Sequence, residues 1–266
     1  MNKTLLCALL ALTSLLCGCV TPKNITYMQG FDEGMAQTVR EMTRMKVQPD
    51  DKLSILVSAK DPELAQVFNL TITQLRAGQS AKAASANSGQ TAAFTVAPDG
   101  TINYPILGKL HVAGLDRVEL ASAIEQRLTA ENLLKDPIVI VEFLNATVSL
   151  LGDVSSPGEY PIDRDNMTIL QALGKAGDLQ ITGMRQNVLL VREENGKDVA
   201  YRLDLTDTET LMTSPAFYVQ QNDVIYVEPN DTKKRQSTAN GNTFLTPGFW
   251  LSIISFLTSM VVLILR

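Results

Sequence analysis

Few side chains in this sequence can do chemistry, and their placement narrows what that chemistry is. The chain has three thiols, Cys7, Cys17 and Cys19, all within its first 19 residues. The body beyond them therefore has no disulfide framework and no thiolate metal site. The single imidazole, His111, sits in Lys109-Leu110-His111-Val112, which reads as strand, with no Ser or Cys motif beside it. A structural role follows, and a His-rich metal centre is excluded. Carboxylates are numerous, but no spacing marks an acid–base pair. Asp50-Asp51 and Asp204 with Asp207 have the composition of a cation site, yet their turn-like surroundings read them as solvated carboxylates. The glycines from Gly174 to Gly177 match neither a phosphate loop nor a dinucleotide fingerprint. A net charge of −5, with Lys233-Lys234-Arg235 as the notable basic cluster, argues against nucleic acid. The sequence thus predicts no catalytic residue, no cofactor and no metal, and leaves Cys19 as the side chain with a chemical fate.

That fate depends on the element before it. Lys3 gives a short positive region, and Leu5 to Leu16 is an apolar run rich in Leu and Ala. As a helix it reaches roughly 18 Å, too short for a hydrocarbon core of about 30 Å. It reads as the apolar region of a signal peptide. The run ends in Leu16-Cys17-Gly18-Cys19, which resembles a bacterial lipobox. The resemblance implies cleavage before Cys19 and acylation of its thiol and new amino group. Val20 follows, not Asp, which implies sorting to the outer membrane. Each buried methylene contributes about 0.8 kcal/mol, so several acyl chains hold a protein firmly on a membrane. The alternative is a plain signal peptide cleaved near Cys19, leaving a soluble secreted protein.

A second membrane element stands at the other end. Phe249 to Leu265 carries no charge, and Arg266 closes the sequence. As a helix it spans about 26 Å, short for an average bilayer but closer to the thinner outer membrane. Pro247 suits the first turn, where its missing N–H is not needed. Trp250 and Arg266 are placed as interface anchors, one at each end. Ser252, Ser255 and Ser259 share one face, with Thr258 close by. Such a stripe turns toward other helices or water, as a pore lining or a packing seam. One helix cannot enclose a pore, so a channel requires several subunits.

Between the anchors the pattern is α+β. Met28, Met35 and Met42 recur at seven, but residues 19–45 read best as a tether. Val47 to Lys52 is a turn before a strand at Leu53–Val57. Residues 76–92 are small and polar, a flexible loop. Phe94–Val96 and Ile102–Tyr104 flank Ala97-Pro98-Asp99-Gly100 and predict a hairpin. Asp116 with Glu119 forms a capping box, and Leu120, Ile124 and Leu128 give one buried helix face. Ile138–Leu144 is a strand. Strands at Val148–Leu151 and around Glu159-Tyr160 enclose a Pro157-Gly158 turn. Thr168 with Gln171 caps a second helix that Gly177 stops. Val188–Val191 and Val199–Leu203 flank Glu194-Asn195-Gly196, and Asp223–Val227 is the last strand.

These segments resemble the outer-membrane polysaccharide export proteins of the Wza type. Gln48-Pro49-Asp50-Asp51-Lys52-Leu53-Ser54-Ile55 and the stretch VAPDGTINYPILGKLHVAGL, Val96 to Leu115, are similar to a polysaccharide export sequence domain. LGDVSSPGEYPI (Leu151–Ile162), TILQALGKAGDL (Thr168–Leu179), NVLLVR (Asn187–Arg192) and NDVIYVEP (Asn222–Pro229) are similar to one β-grasp-like SLBB domain. The organisation expected is a signal peptide at 1–18, a tether at 19–45, the export domain at 46–145 and the SLBB domain at 146–229. A linker at 230–246 and a membrane helix at 247–266 complete it. The resemblance implies an oligomeric ring, commonly of eight subunits, whose C-terminal helices form a barrel through the outer membrane. It also implies a periplasmic body, an inner-membrane co-polymerase as partner, and a capsular polysaccharide or exopolysaccharide as cargo. Asp50-Asp51 departs from the usual Gly-Asp, only one SLBB domain is visible, and the terminal helix is more apolar than a pore helix. Two other functions compete with export: a periplasmic carbohydrate-binding or adaptor lipoprotein without a pore, and, less well supported, an enzyme acting on glycans.

Overall fold

The computed structural model describes residues 25–30, 44–69, 93–194 and 196–264. The signal peptide, Cys19, the loop at 76–92, Met35, Met42, Asn195 and Arg266 lie outside the described residues.

The fold is α+β. Its first unit begins with β1 (Lys52–Ser58), whose alternating Leu53, Ile55 and Val57 point to one core. After α1 (Pro62–Gln66) come β2 (Ala93–Thr95), β3 (Thr101–Tyr104), β4 (Gly108–His111), α2 (Arg117–Ala130) and β5 (Ile138–Phe143). Strand order β2-β1-β5 forms one antiparallel sheet, and β3-β4 a separate two-stranded ladder. Helix α2 starts at the expected capping box: Asp116 accepts from the N–H groups of Val118 and Glu119, and Glu119 reaches back to the Asp116 N–H. Leu120, Ile124 and Leu128 are buried against the sheet.

The hairpin expected between Phe94–Val96 and Ile102–Tyr104 does not form. The turn itself closes, with Gly100 N–H donating to Ala97 O at 2.8 Å. Beyond it the strands diverge: β2 pairs with β1 in the register Leu53↔Phe94, and β3 pairs with β4 in the register Ile102↔Leu110. The turn at Pro105–Leu107 instead sets β4 beside β3, and between the two ladders the rings of Phe94 and Tyr104 lie 5.1 Å apart.

The second unit contains β6 (Thr147–Gly152), β7 (Gly158–Pro161), α3 (Ile169–Lys175), β8 (Gly183–Glu194), β9 (Lys197–Leu203), α4 (Thr208–Thr213) and β10 (Val224–Pro229). The sheet order is β7-β6-β10-β8-β9. The first and last strands, β6 and β10, lie parallel at its centre, and every other pairing is antiparallel. This is a β-grasp arrangement, with α3 capped by Thr168 and Gln171 as expected. Gly177, at φ +75°, takes the left-handed position that ends α3.

Two cores result, and the chain passes between them within three residues: Met45 is buried in the second core and Val47 in the first. Residues 25–30, read from sequence as tether, lie against the second unit. Met28 N–H donates to Leu205 O at 3.0 Å, and Tyr27 OH donates to Asp178 at 2.5 Å. The segment read as linker contains α5 (Asp231–Arg235) and a 3-10 turn at Thr243–Leu245 before α6 (Pro247–Ile264).

Candidate functional site: the terminal helix and its joint

Helix α6 is, among the described residues, the one helix long and apolar enough to cross a membrane by length and composition. None of it is buried. Leu251, Ile254, Phe256, Leu257, Val261 and Leu263 are all more than half exposed. A surface of that kind is stable in lipid and a liability in water.

The hydroxyl stripe predicted from sequence is present and exposed, but its hydrogen bonds run back into the helix. Ser252 Oγ donates to Gly248 O at 2.9 Å, Thr258 Oγ1 to Ile254 O at 2.7 Å and Ser259 Oγ to Ser255 O at 2.9 Å. A hydroxyl bonded to the carbonyl four residues earlier needs no second helix to satisfy it. Trp250 Nε1 donates to Phe244 O at 2.9 Å, and the rings of Phe244, Phe249 and Trp250 pack edge to face. An aromatic cluster at the base of an apolar helix fits a headgroup boundary.

The joint below the helix is polar and specific. Lys233, on α5, donates to Asp153, whose carboxylate is 1% exposed and also accepts from Thr182 Oγ1 at 2.6 Å. Lys234 donates to Glu228 at 2.6 Å, and Asn187 and Arg202 extend that cluster onto β8 and β9. Lys234 is the main cause of a lowered Glu228 pKa. Arg235 donates to Asn242, and Asn242 donates to Thr232 O at 2.8 Å, which ties the connection back on itself. Residues 25–30 end nearby: Ile25 and Asn230 line one small cavity, and Asn230 N–H donates to Thr182 O at 2.8 Å.

The other carboxylates named from sequence have structural duties. Asp50 adopts φ +69°, a left-handed conformation that glycine takes most readily and that Asp tolerates. Asp51 is buried and accepts from Gln48 N–H at 2.7 Å and from Gln221 Nε2 at 3.1 Å. Burial raises its pKa against the effect of those donors. Asp204 accepts from Thr206, and Asp207 caps α4. His111 is exposed on β4, its ring beside Gly100. Among the described residues, no group of three or more His, Cys, Asp or Glu could hold a metal ion.

Comparison with known proteins bears on what this assembly is. Residues 39–144 match the family model described as "Polysaccharide biosynthesis/export protein", and residues 146–227 match the SLBB domain. The chain thus carries a polysaccharide biosynthesis/export domain followed directly by an SLBB domain. It is 26% identical over 145 residues to the "EPS I polysaccharide export outer membrane protein EpsA" of Ralstonia solanacearum, covering 53% of this chain and 37% of that protein. It is 32% identical over 103 residues to the protein of the same description in Ralstonia nicotianae, covering 37% and 26%. To the "Exopolysaccharide production protein ExoF" of Rhizobium meliloti it is 35% identical over 89 residues, covering 33% and 21%. The chain spans well under half the length of these relatives.

Within the second domain, the Gly152-Asp153 pair has a physical role. Gly152 sits at φ +87°, and a side chain there would strike the Val227 carbonyl on β10. The next residue, Asp153, holds the helix that leads to α6. Sequence reasoning named this motif without finding its partner, and it missed Gln221 altogether. Lys233 was visible only as part of a basic cluster.

Proposed function

We propose that this protein is an outer-membrane lipoprotein whose subunits assemble into a conduit for exporting a capsular polysaccharide or exopolysaccharide. The observation that carries the reading is α6: an apolar helix with no side buried, attached through an ion-paired joint to an export-family body. A lone helix of that kind gains by packing with copies of itself, and a ring of copies is the simplest way for helices to enclose a path. Cys19, acylated, supplies the second anchor. The tether and the joint of α6 leave the second unit at the same corner, beside Thr182 and Asn230. Both anchors then enter one membrane face, with the SLBB domain toward the outer membrane and the export domain deeper in the periplasm. There the export domain is available to an inner-membrane co-polymerase.

One observation favours the rival reading, a periplasmic carbohydrate-binding or adaptor lipoprotein with no pore of its own. The hydroxyls of Ser252, Thr258 and Ser259 are satisfied within the helix, as a simple anchor requires. The mass of the detergent-extracted native protein separates the two. A discrete multimer near eight copies is expected. A monomer stable across mild detergents would overturn the conduit and leave the adaptor. Cys19→Ala is expected to release the protein from lipid modification, read as loss of the acyl mass from the mature N-terminus.

A further inference from the structure

Outside α6, the three most exposed large apolar side chains among the described residues are Ile181 (69%), Leu245 (64%) and Phe244 (63%). Exposed apolar residues scattered singly are ordinary on a protein surface. These three are set apart because hydrogen bonds gather them at one corner of the second unit. Ile181 tops the turn before β8, which Gly183 N–H closes by donating to Gln180 O at 2.9 Å. In the same turn Thr182 O accepts from Asn230 N–H at 2.8 Å. Asn230 caps α5, its side chain accepting from Lys233 N–H at 2.9 Å. Asn242 donates to Thr232 O and accepts from Arg235, so the 3-10 turn that carries Phe244 and Leu245 is fastened to the same short helix. Two of the three cations on α5 are neutralised, Lys233 by Asp153 and Lys234 by Glu228. Arg235 donates to Asn242 Oδ1 at 3.1 Å and to Thr232 Oγ1 at 3.3 Å, and forms no ion pair among the described residues.

The distance from this corner to lipid is bounded on two sides. Ile25 lines one small cavity with Ile181 and Asn230, and the N–H groups of Met28 and Gln29 donate to Leu205 O and Thr206 O. Cys19 stands six residues before Ile25, a reach of at most about 22 Å. On the other side Pro247 opens α6 two residues after Leu245. We infer that this corner is a membrane foot: Ile181, Phe244 and Leu245 enter the phospholipid leaflet next to the body, and Arg235 binds lipid phosphate at its surface. A guanidinium with no carboxylate partner is suited to phosphate. Apolar side chains in such a contact settle about 5–10 Å into the boundary between headgroups and acyl chains. The foot rests on the reading of Cys19 and α6 as anchors. It adds that the folded second unit touches lipid itself, so its height above the bilayer is set by contact and not by the slack of its tethers.

The test uses the full-length protein in vesicles of phosphatidylethanolamine and phosphatidylglycerol, with a nitroxide on some lipids either near the headgroup or near the end of the acyl chain. Ile181→Cys carries a fluorophore, and Leu245→Cys repeats the reading at a second point. The sequence has no cysteine beyond Cys19, and the unsubstituted chain treated with the same reagent gives the blank. Ile138→Cys, exposed on β5 of the first unit, is the control. Trp250, the sole tryptophan, reports on α6 in the same sample. The labels at 181 and 245 are expected to lose most fluorescence to the shallow nitroxide, the label at 138 to lose none, and Trp250 to be quenched. Arg235→Gln should reduce quenching at 181 and leave Trp250 unchanged; equal quenching at 181 would overturn the phosphate contact. Quenching of Trp250 with none at 181 and 245 overturns the foot and leaves the anchors. No quenching at any of the three overturns both. A label at 181 shielded from water yet unquenched means that a second copy covers Ile181, and the foot falls.

Discussion

Asp223→Ala should be among the most damaging single substitutions in the second unit. The Asp223 side chain is 0% exposed and the guanidinium-bearing side chain of its partner Arg192 5%. The pair is bidentate, Nε to Oδ1 at 2.9 Å and Nη2 to Oδ2 at 2.7 Å. Asp223 also accepts from Gln220 N–H at 2.7 Å. Removing the carboxylate leaves a buried guanidinium facing two carbonyls with no opposing charge, and an unmet N–H in the loop before β10. Breaking a buried pair in this way costs about 3–5 kcal/mol, a large share of the roughly 5–15 kcal/mol that holds a domain folded. For a chain of this size that corresponds to a fall in Tm of about 6–20 °C. The assay is urea unfolding of the detergent-held chain followed by circular dichroism, with the midpoint compared at constant slope. The double variant Arg192→Met with Asp223→Leu removes both charges and should recover most of the loss, because the desolvation cost goes with the pair. A single variant within about 1 kcal/mol of wild type, or a double variant no better than the single, would refute the assignment of this pair as an uncompensated-charge trap.

Three further outcomes are expected. Gly152→Ala should cost at least about 2 kcal/mol, since it combines left-handed backbone with a clash on Val227 O; Gly196→Ala, at φ +72° with open space around it, should cost only about 1 kcal/mol, and thermal melts compare them. Lys233→Met strands the buried Asp153 carboxylate and should loosen the joint by about 1–3 kcal/mol, read as faster proteolysis within residues 236–246 while the two domains stay resistant. Asp51 has a raised pKa in the folded state, mainly from burial, so the fold binds its proton more tightly than the unfolded chain does. Its contribution is full below the ordinary Asp value and is lost as pH rises through the raised one. The wild type should therefore gain stability relative to Asp51→Asn as pH falls from 7 toward 4, and a difference that is flat across that range would count against it.

How much was legible in the sequence follows the range of the interactions. The capping boxes at Asp116–Glu119 and Thr168–Gln171 close over three residues, so spacing alone announces them, and both form. The buried face of α2 and the apolar run of α6 repeat with the period of a helix and needed no partner to be recognised. The left-handed turn at Asp50 was legible as a departure from Gly-Asp, though not its outcome. Strand partners were a different matter. An Asp-Gly turn predicted a hairpin, but β2 found β1, some forty residues earlier in the chain. The contacts that organise the protein are longer still: Asp51 with Gln221 across 170 residues and Asp153 with Lys233 across 80. The sequence by itself determined the local elements, the two candidate membrane anchors and the resemblance to export proteins, because each is written in neighbouring residues or in a motif. Only the tertiary structure decided which carboxylate meets which amide or ammonium, because those pairs are selected by burial: two cores must close before Asp51, Asp153 and Asp223 lose water and require the partners they have.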